Sequence, residues 1–400
     1  MKKLILMTLL LLSMSPCLRA QRKEMSQARS YIKSGKDLDK AEKLMTDLLS
    51  KDSVNRQNPK IYLLWYQAVQ RQYDDGNEKL YLHQKYDTAN IFNLTRRMFS
   101  VLETLDSIDA RPQANGRVKL EYRRKHAALL NAYRPNLYFG GTYNMRKNDF
   151  AKAYDFFDAY LDCASQPLFA EFQYDSKDPK MTKAAYWASF CGYKNKSPEQ
   201  TLKYADLARK DTARLRFTLR NMTEAYILLK DEKKCVGTLR EGFFNFPQSA
   251  YFFPRLMDYY TTHNQLDSAL NVVDYALKTD STNVIFLFAK STVLLNQGNY
   301  EQCISLTDSL IQRCDTLAES YFNVASAYLN QALVLENGFS ARQDKKNILA
   351  MYRKALPYME KYRALAPDDK QKWAPALYKI YLNLNMGKQF DEIDKILKGQ

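Results

Sequence analysis

A spacing of 34 residues recurs through the middle of this chain. Segments of that length align into columns of common chemistry when they begin at Thr182, Arg216, Ala250, Val284 and Ala318. One column holds a large apolar residue in each copy: Leu219, Phe253, Leu287 and Tyr321. Another column holds mostly small residues: Ser189, Thr223, Met257, Ser291 and Ala325. Similarity at one fixed period predicts an array of repeated helical units and not a non-repetitive helical bundle.

Large, small and aromatic residues at these separations resemble the tetratricopeptide repeat (TPR), whose pattern is W-x-x-L-G-x-x-Y, then A-x-x-x-F, then P. The clearest turn and second-helix start runs from Gly298 to Ile304, and Pro247 and Pro367 stand at closing-proline positions. The resemblance implies an all-α, TPR-type α-solenoid, a superhelix of antiparallel helix pairs. The scarcity of glycine and proline, 12 of each, agrees with a chain dominated by helices.

The repeat frame extends outward to about nine hairpins. Residues 21–133 are predicted to form irregular TPR-like pairs, including an enlarged pair over 58–109 that is interrupted at Asp74-Asp75-Gly76. Residues 134–400 are predicted to form the TPR superhelix, with insertions at 168–181 and 330–349. Packing in such an array requires neighbours, because no single hairpin buries its own apolar face.

The N-terminus predicts export. Met1-Lys2-Lys3 precedes an apolar run from Leu4 to Met14, and Ala20 offers a small residue for cleavage, so residues 1–20 form a predicted secretory signal peptide. The apolar run is shorter than the ~20 residues that span a bilayer. Pro16 departs from the small residues that resemble a lipoprotein processing site, which disfavours a lipid anchor at Cys17. We expect a soluble protein in the periplasm or at the cell surface.

The chain is basic, with a formal charge of +16 that falls to +13 when cleavage removes Lys2, Lys3 and Arg19. Such a charge attracts lipid headgroups, acidic glycans or acidic protein segments, or it serves mainly solubility. Export argues against nucleic acid as a partner. A basic stretch before the best repeats is a candidate anionic-ligand surface, although a charge run is also typical of a solvated helix face; its candidates are Arg117, Lys119, Arg123, Arg124 and Lys125.

No motif for catalysis or metal binding emerges. The three histidines, His83, His126 and His263, are far apart in sequence, and neither G-x-x-x-x-G-K-[ST] nor G-x-S-x-G is present. The cysteines that remain after cleavage form no close C-x-x-C pair and are predicted to be buried free thiols. We predict a non-enzyme with no catalytic residues, no cofactor and no metal.

TPR proteins line their concave surface with the first helix of each repeat, so the resemblance suggests a binding groove there. Aromatic and arginine side chains suit an extended peptide or protein with acidic or carboxylate groups. The alternative is that these are ordinary groove residues or inter-repeat packing. The candidates are Tyr138, Tyr186, Arg220, Asn221, Arg255, Phe288 and Asn323.

The predicted function is a protein–protein interaction scaffold of the cell envelope. The alternative is a glycan- or lipid-binding accessory protein of an outer-membrane uptake or assembly system. Asp-Ser/Thr dipeptides also resemble an O-glycosylation acceptor motif of exported proteins from anaerobic Gram-negative bacteria, while helix capping explains part of the set. They begin at Asp52, Asp87, Asp106, Asp211, Asp267, Asp280, Asp308 and Asp315.

Overall fold

The computed structural model describes residues 21–112, 116–338, 342 and 344–399. The predicted signal peptide, residues 1–20, lies outside them. The chain divides into two compact units, the first ending at Glu232 and the second beginning at Lys233. The predicted domain boundary at 133/134 falls inside a continuous helix, Arg123–Arg146.

The first unit is built from helices joined mostly by short turns. In chain order they are α1 (21–34), α2 (Leu38–Lys51), α3 (Pro59–Tyr81), α4 (Thr88–Asp109), α5 (Arg123–Arg146), α6 (Phe150–Asp162), α7 (Tyr174–Lys177), α8 (Met181–Lys194), α9 (Pro198–Lys203), α10 (Ala205–Ala208) and α11 (Leu215–Leu228). Short 3₁₀ helices occur at Asn55–Gln57, Pro167–Phe172 and Thr212–Arg214.

The second unit is also built from helices. Its first helix is α12 (Glu232–Asn245), which begins at the last residue of the first unit. Its further helices are α13 (Phe252–Thr262), α14 (Leu266–Thr279), α15 (Val284–Asn296), α16 (Tyr300–Arg313), α17 (Ala318–Glu336), α18 (Lys345–Leu365), α19 (Lys370–Asn383) and α20 (Gly387–Lys398). No strand occurs among the described residues of either unit. The all-α, TPR-type prediction is confirmed. In chain order, the described helices alternate as the first and second helices of nine repeats when α9 and α10 are counted as one broken second helix and the short α7 is left out.

One turn is repeated along the chain. A residue in the left-handed conformation follows the first helix of several pairs, at Lys196, Lys230, Asn264 and Gly298, which are 34 residues apart. The next residue then donates its backbone N–H to the carbonyl five positions back, as Ser197 does to Gly192 at 3.0 Å. This is the Schellman geometry that ends helices and satisfies their last carbonyls. The turns at His83, Asn148 and Asn385 share it, so seven of the described first helices end in the same way.

Small residues let the helices approach closely, as predicted. A Cβ on Gly192 would lie 2.4 Å from the backbone nitrogen of Thr201, which explains why glycine stands where later repeats have Tyr226, Tyr260 and Tyr328. A Cβ on Gly140 or Gly141 would meet the ring of Phe156 or Phe157 at 2.7 Å. These two glycines therefore allow α5 and α6 to pack closely.

The large apolar column is buried too. Leu219, Phe253, Leu287 and Tyr321 are each less than one-tenth exposed. In the second unit the ring centroids of Phe253 and Phe286 are 4.7 Å apart, so α13 packs directly on α15. Burial of such side chains, at about 1.5–3 kcal/mol each, supplies the main stabilisation of each pair against its neighbour.

Two irregular regions differ from a plain repeat. The predicted interruption at Asp74-Asp75-Gly76 is wrong, because α3 runs through it without a break. Gly76 is needed there because a Cβ would lie 2.6 Å from the ring of Tyr86. Within the predicted insertion 330–349, residues 330–336 and 345–349 are helical and lengthen α17 and α18, while 339–341 and 343 lie outside the described residues.

We predict opposite effects of alanine at two glycines of α12. In Gly242→Ala, the Cβ would lie 2.3 Å from the ring of the fully buried Phe252, so we expect a loss of about 1–3 kcal/mol of unfolding free energy. In Gly237→Ala, the Cβ meets nothing within 4 Å, so the helix gains up to about 1 kcal/mol. Urea unfolding followed by circular dichroism compares the two, and equal effects would contradict close packing at Gly242.

Candidate functional site

Four of the seven predicted groove residues are buried. Asn323 donates to the hydroxyls of Ser291 at 2.9 Å and Thr292 at 3.0 Å, which ties α17 to α15. Tyr138, Tyr186 and Asn221 are likewise less than one-tenth exposed. These side chains face neighbouring helices, so the structure assigns them to packing and not to an open surface.

The other three candidates reach solvent. Arg220 of the first unit and Arg255 of the second are exposed, and Phe288 is half-buried. The guanidinium of Arg255 lies 4.0 Å from the ring centroid of Tyr251 and donates to that residue's carbonyl oxygen. The predicted set is therefore divided between the two units.

Exposed or half-buried aromatic side chains do occur within the first unit, one residue beyond two of the predicted positions. Phe139 follows Tyr138 and is 47% exposed, and Trp187 follows Tyr186 and is half-buried. Successive helical residues are rotated by about 100°, so a one-residue phase error turns a buried side chain into a surface one. The repeat columns predicted the correct helices, α5 and α8. Which side chains of these helices are exposed depends on how the helices pack against their neighbours.

We call this region the aromatic–lysine surface and define it as Phe139, Trp187, Phe190, Lys180 and Lys194. The ring centroids of Trp187 and Phe190 are 5.9 Å apart. The Lys180 ammonium lies 5.5 Å from the centroid of Phe139, and that of Lys194 lies 5.5 Å from the centroid of Phe190. Cations held over ring faces keep their charge available while the rings supply apolar area.

A cleft of about 220 Å³ adjoins this surface. It shares Lys180 with this surface. Its other lining residues are Asn131, Arg134, Pro135, Tyr138, Tyr160, Asp178 and Pro179. Ligand pockets for small molecules are usually about 300–1,000 Å³, so this cleft is small for a free metabolite and better matches one side chain of a larger partner.

Arg134 holds the cleft wall in place. Its guanidinium carbon lies 3.7 Å from the ring centroids of both Tyr160 and Tyr174, and its Nη1 is 2.6 Å from Asp178 Oδ2. The side chain is 5% exposed and also donates to the backbone carbonyl of Tyr160. The arginine therefore fastens the predicted insertion 168–181 to α5 and α6, and it is a structural residue more than an anion receptor.

Asp178 is the partner that neutralises this arginine. Burial opposes its ionisation, but hydrogen bonds from Tyr160 and Arg134 outweigh burial and hold the pKa of Asp178 below its usual value. A carboxylate with a lowered pKa in the folded state stabilises the fold above its ordinary pKa of 3.8. That stabilisation disappears as the pH falls through the lowered pKa.

We predict that Asp178→Asn costs about 3–5 kcal/mol at neutral pH, because it leaves Arg134 buried without its counter-charge. The loss should shrink as the pH falls below 4, since the wild-type carboxylate then becomes protonated. Thermal unfolding of both proteins across this pH range provides the measurement. Asp175→Asn, an exposed neighbour on α7, is the control and should change stability little. A pH-independent difference would contradict the ion-pair account.

The basic-stretch candidates separate into paired and exposed residues. Arg123 donates twice to Asp106, at 2.8 Å each, so its charge is engaged within the fold. Arg117, Lys119, Arg124 and Lys125 are exposed. The segment therefore presents cations to solvent at the start of α5.

Groups suited to covalent or metal chemistry do not converge among the described residues. Burial raises the pKa of the Cys163 and Cys191 thiols to about 12 and that of Cys303 to about 11, which suppresses thiolate nucleophilicity. All five cysteines of the described chain are thiols and not disulfides; these three are buried as predicted, whereas Cys235 and Cys314 are only half-buried. Within the described ranges, no cluster of three or more His, Cys, Asp or Glu residues could hold a metal ion.

The aspartates of the Asp-Ser/Thr dipeptides have several structural roles. Asp87 caps α4 by accepting from the backbone N–H of Ala89, and Asp280 accepts from that of Thr282. Asp106 pairs with Arg123, and Asp308 accepts from the Tyr358 hydroxyl. Capping and pairing thus account for these positions, and glycosylation stays a prediction.

Among the described helices, none is both long and apolar enough to cross a bilayer.

Comparison with known proteins gives fold relatives at low similarity. No family model and no curated protein matches the sequence. Among solved structures, the C-terminal part of a TPR repeat-containing protein from Cytophaga hutchinsonii is 11% identical, covering 64% of this chain and 92% of its own, with a TM-score of 0.43. A TPR repeats protein from Bacteroides fragilis is 17% identical, covering 66% and 98%, with a TM-score of 0.33. Yeast Tom70 is 13% identical, covering 92% and 89%, with a TM-score of 0.34. At these values the likenesses carry no conclusion about what this chain binds.

Proposed function

We propose that this protein is a non-catalytic interaction scaffold of the cell envelope that binds an extended peptide or protein partner. The aromatic–lysine surface is the observation that carries this proposal. It offers rigid aromatic rings, which are enriched where proteins bind one another, and these rings lie beside cations and a small cleft. The export signal predicted at residues 1–20 supports an envelope location.

The chemistry of the surface favours an acidic partner. Lys180 and Lys194 present ammonium groups over exposed or half-buried rings. The rings provide apolar contact area at low cost in side-chain entropy. The cations steer a negatively charged segment toward those rings. A partner with alternating apolar and acidic side chains would satisfy both features.

Site-specific crosslinking tests the location. We expect a photo-crosslinking amino acid at Phe139 to yield one discrete protein adduct in intact cells. The same amino acid at Tyr81 should yield none, although Tyr81 is the more exposed ring, at 82%, of the same unit. If crosslinking depended only on how exposed a position is, Tyr81 would be labelled at least as strongly as Phe139. Equal labelling at both would therefore remove the support for this surface.

The predicted arginine contacts need a separate test. If Arg220 and Arg255 also contact the partner identified in this way, the double variant Arg220→Glu with Arg255→Glu should bind it at least about tenfold more weakly, because each reversal replaces attraction by repulsion. Affinity of the purified pair is measured by calorimetry at low and high salt. Unchanged affinity would show that these two arginines lie outside the interface, whichever result Phe139 gives.

A further inference from the structure

A second surface, at one end of the first unit, carries a different chemistry. The loop between α2 and α3 and the loop between α4 and α5 meet there, because Arg111 donates to the Gln57 side chain. The end of α4 holds the second loop in place: Asp109 Oδ2 accepts from the backbone N–H of Tyr122 at 3.0 Å. We call this the basic end surface and define it as the described residues 52–58 and 116–125 with Arg111.

The start of α5 departs from ordinary helix electrostatics. The N-terminus of a helix carries partial positive charge and favours acidic side chains. The first turn of α5 instead contains Arg123, Arg124 and Lys125, has no acidic residue, and lacks a side-chain cap at Tyr122. Arg123 is neutralised by Asp106, whereas no carboxylate of the described chain forms an ion pair with Arg124 or Lys125. This arrangement lowers the stability of the helix, and no ion pair of Arg124 or Lys125 within the described chain offsets the loss. Such an arrangement is typical of a functional surface.

The charge of the basic end surface is strongly one-sided. Its exposed cations are Arg56, Arg111, Arg117, Lys119, Arg124 and Lys125. The carboxylates beside them are Asp52, Asp109 and Glu121, and the two aspartates already accept backbone N–H groups. The positive end of α5 adds to this excess of cations. A phosphate group is the ligand that both a helix N-terminus and a cation cluster favour.

Exposed apolar side chains alternate with these cations along the chain. Val118 is 51% exposed and Leu120 is 43% exposed, and they alternate with Arg117 and Lys119 in a non-helical segment. Val54, on the adjoining loop, is exposed as well. Soluble polyanions offer nothing apolar for such side chains to enter, whereas a bilayer surface offers both phosphates and an acyl boundary.

We propose that the basic end surface binds the surface of a bilayer rich in anionic phospholipid. The cations contact lipid phosphates, while Val118 and Leu120 enter the headgroup–acyl boundary. Neither contribution is strong alone, since stable peripheral binding takes two signals. This activity is separate from peptide binding at the aromatic–lysine surface, so each proposal can fail without the other.

Vesicle co-sedimentation tests the proposal with the purified protein. We expect binding to vesicles that contain phosphatidylglycerol, little binding to phosphatidylcholine alone, and release by salt. Arg124→Gln with Lys125→Gln should weaken binding about thirtyfold, at about 1 kcal/mol per cation and tenfold per about 1.4 kcal/mol. The control Lys177→Gln with Lys183→Gln removes the same charge elsewhere in the first unit and should have a small effect. Equal losses in the two double variants would mean that only net charge matters and would overturn the site.

The apolar contribution is tested by Val118→Ser with Leu120→Ser. We expect weaker vesicle binding but unchanged binding to heparin, a soluble polyanion. Leu82→Ser is the control, since Leu82 is exposed at the far end of the long helix α3. If the serine pair leaves vesicle binding unchanged, the surface recognises polyanions in general and the membrane assignment is wrong. Circular dichroism confirms that each variant is folded.

Discussion

The recurrent left-handed turn is the constraint on which the described helix pairs most depend. It ends the first helix, satisfies the carbonyl five residues back and sends the chain into the second helix in one fixed direction. Asn264 and Gly298 adopt it readily, whereas Lys196 and Lys230 take positive φ at a cost of about 1–2 kcal/mol. In the repeat of α8 and α9, close packing also needs a residue as small as Gly192 at the contact with the second helix. The pairs then gain most of their stability from neighbours, as expected of a repeat array.

The two proposed binding surfaces arise where the chain departs from the repeat. The segment between α6 and α8 adds Tyr174 and Asp178, which enclose Arg134 and shape the cleft beside the aromatic–lysine surface. The loop before α5 adds the exposed cations and apolar side chains of the basic end surface. In both cases the regular pairs provide a rigid support, and the irregular segment provides the chemistry, as is usual for loops on a scaffold.

Much of the fold was predictable from the sequence, since the 34-residue spacing fixed the helix order and the buried columns at Leu219 and Phe253. The site was less predictable, for physical reasons. Tyr138 and Phe139 are adjacent and chemically alike, and only the packing of α5 against α6 decides which one is buried. The continuity of α3 through Gly76 depends on the ring of Tyr86, a contact that no local pattern reveals. Charge alone also gave no means to separate Arg123, paired with Asp106, from Arg124 beside it.

Native-state hydrogen exchange at single-residue resolution tests the central claim, that one hydrogen-bonded turn repeats every 34 residues. The amides of Ser197, Asp231, Gln265 and Asn299 donate to carbonyls five residues back in this structure. We expect all four to exchange as slowly as amides within the adjoining helices, while the exposed amide of Lys119, in a non-helical loop, exchanges quickly. Fast exchange at these four positions, at the rate of an unstructured peptide, would contradict a shared turn and with it the repeat architecture proposed for this chain.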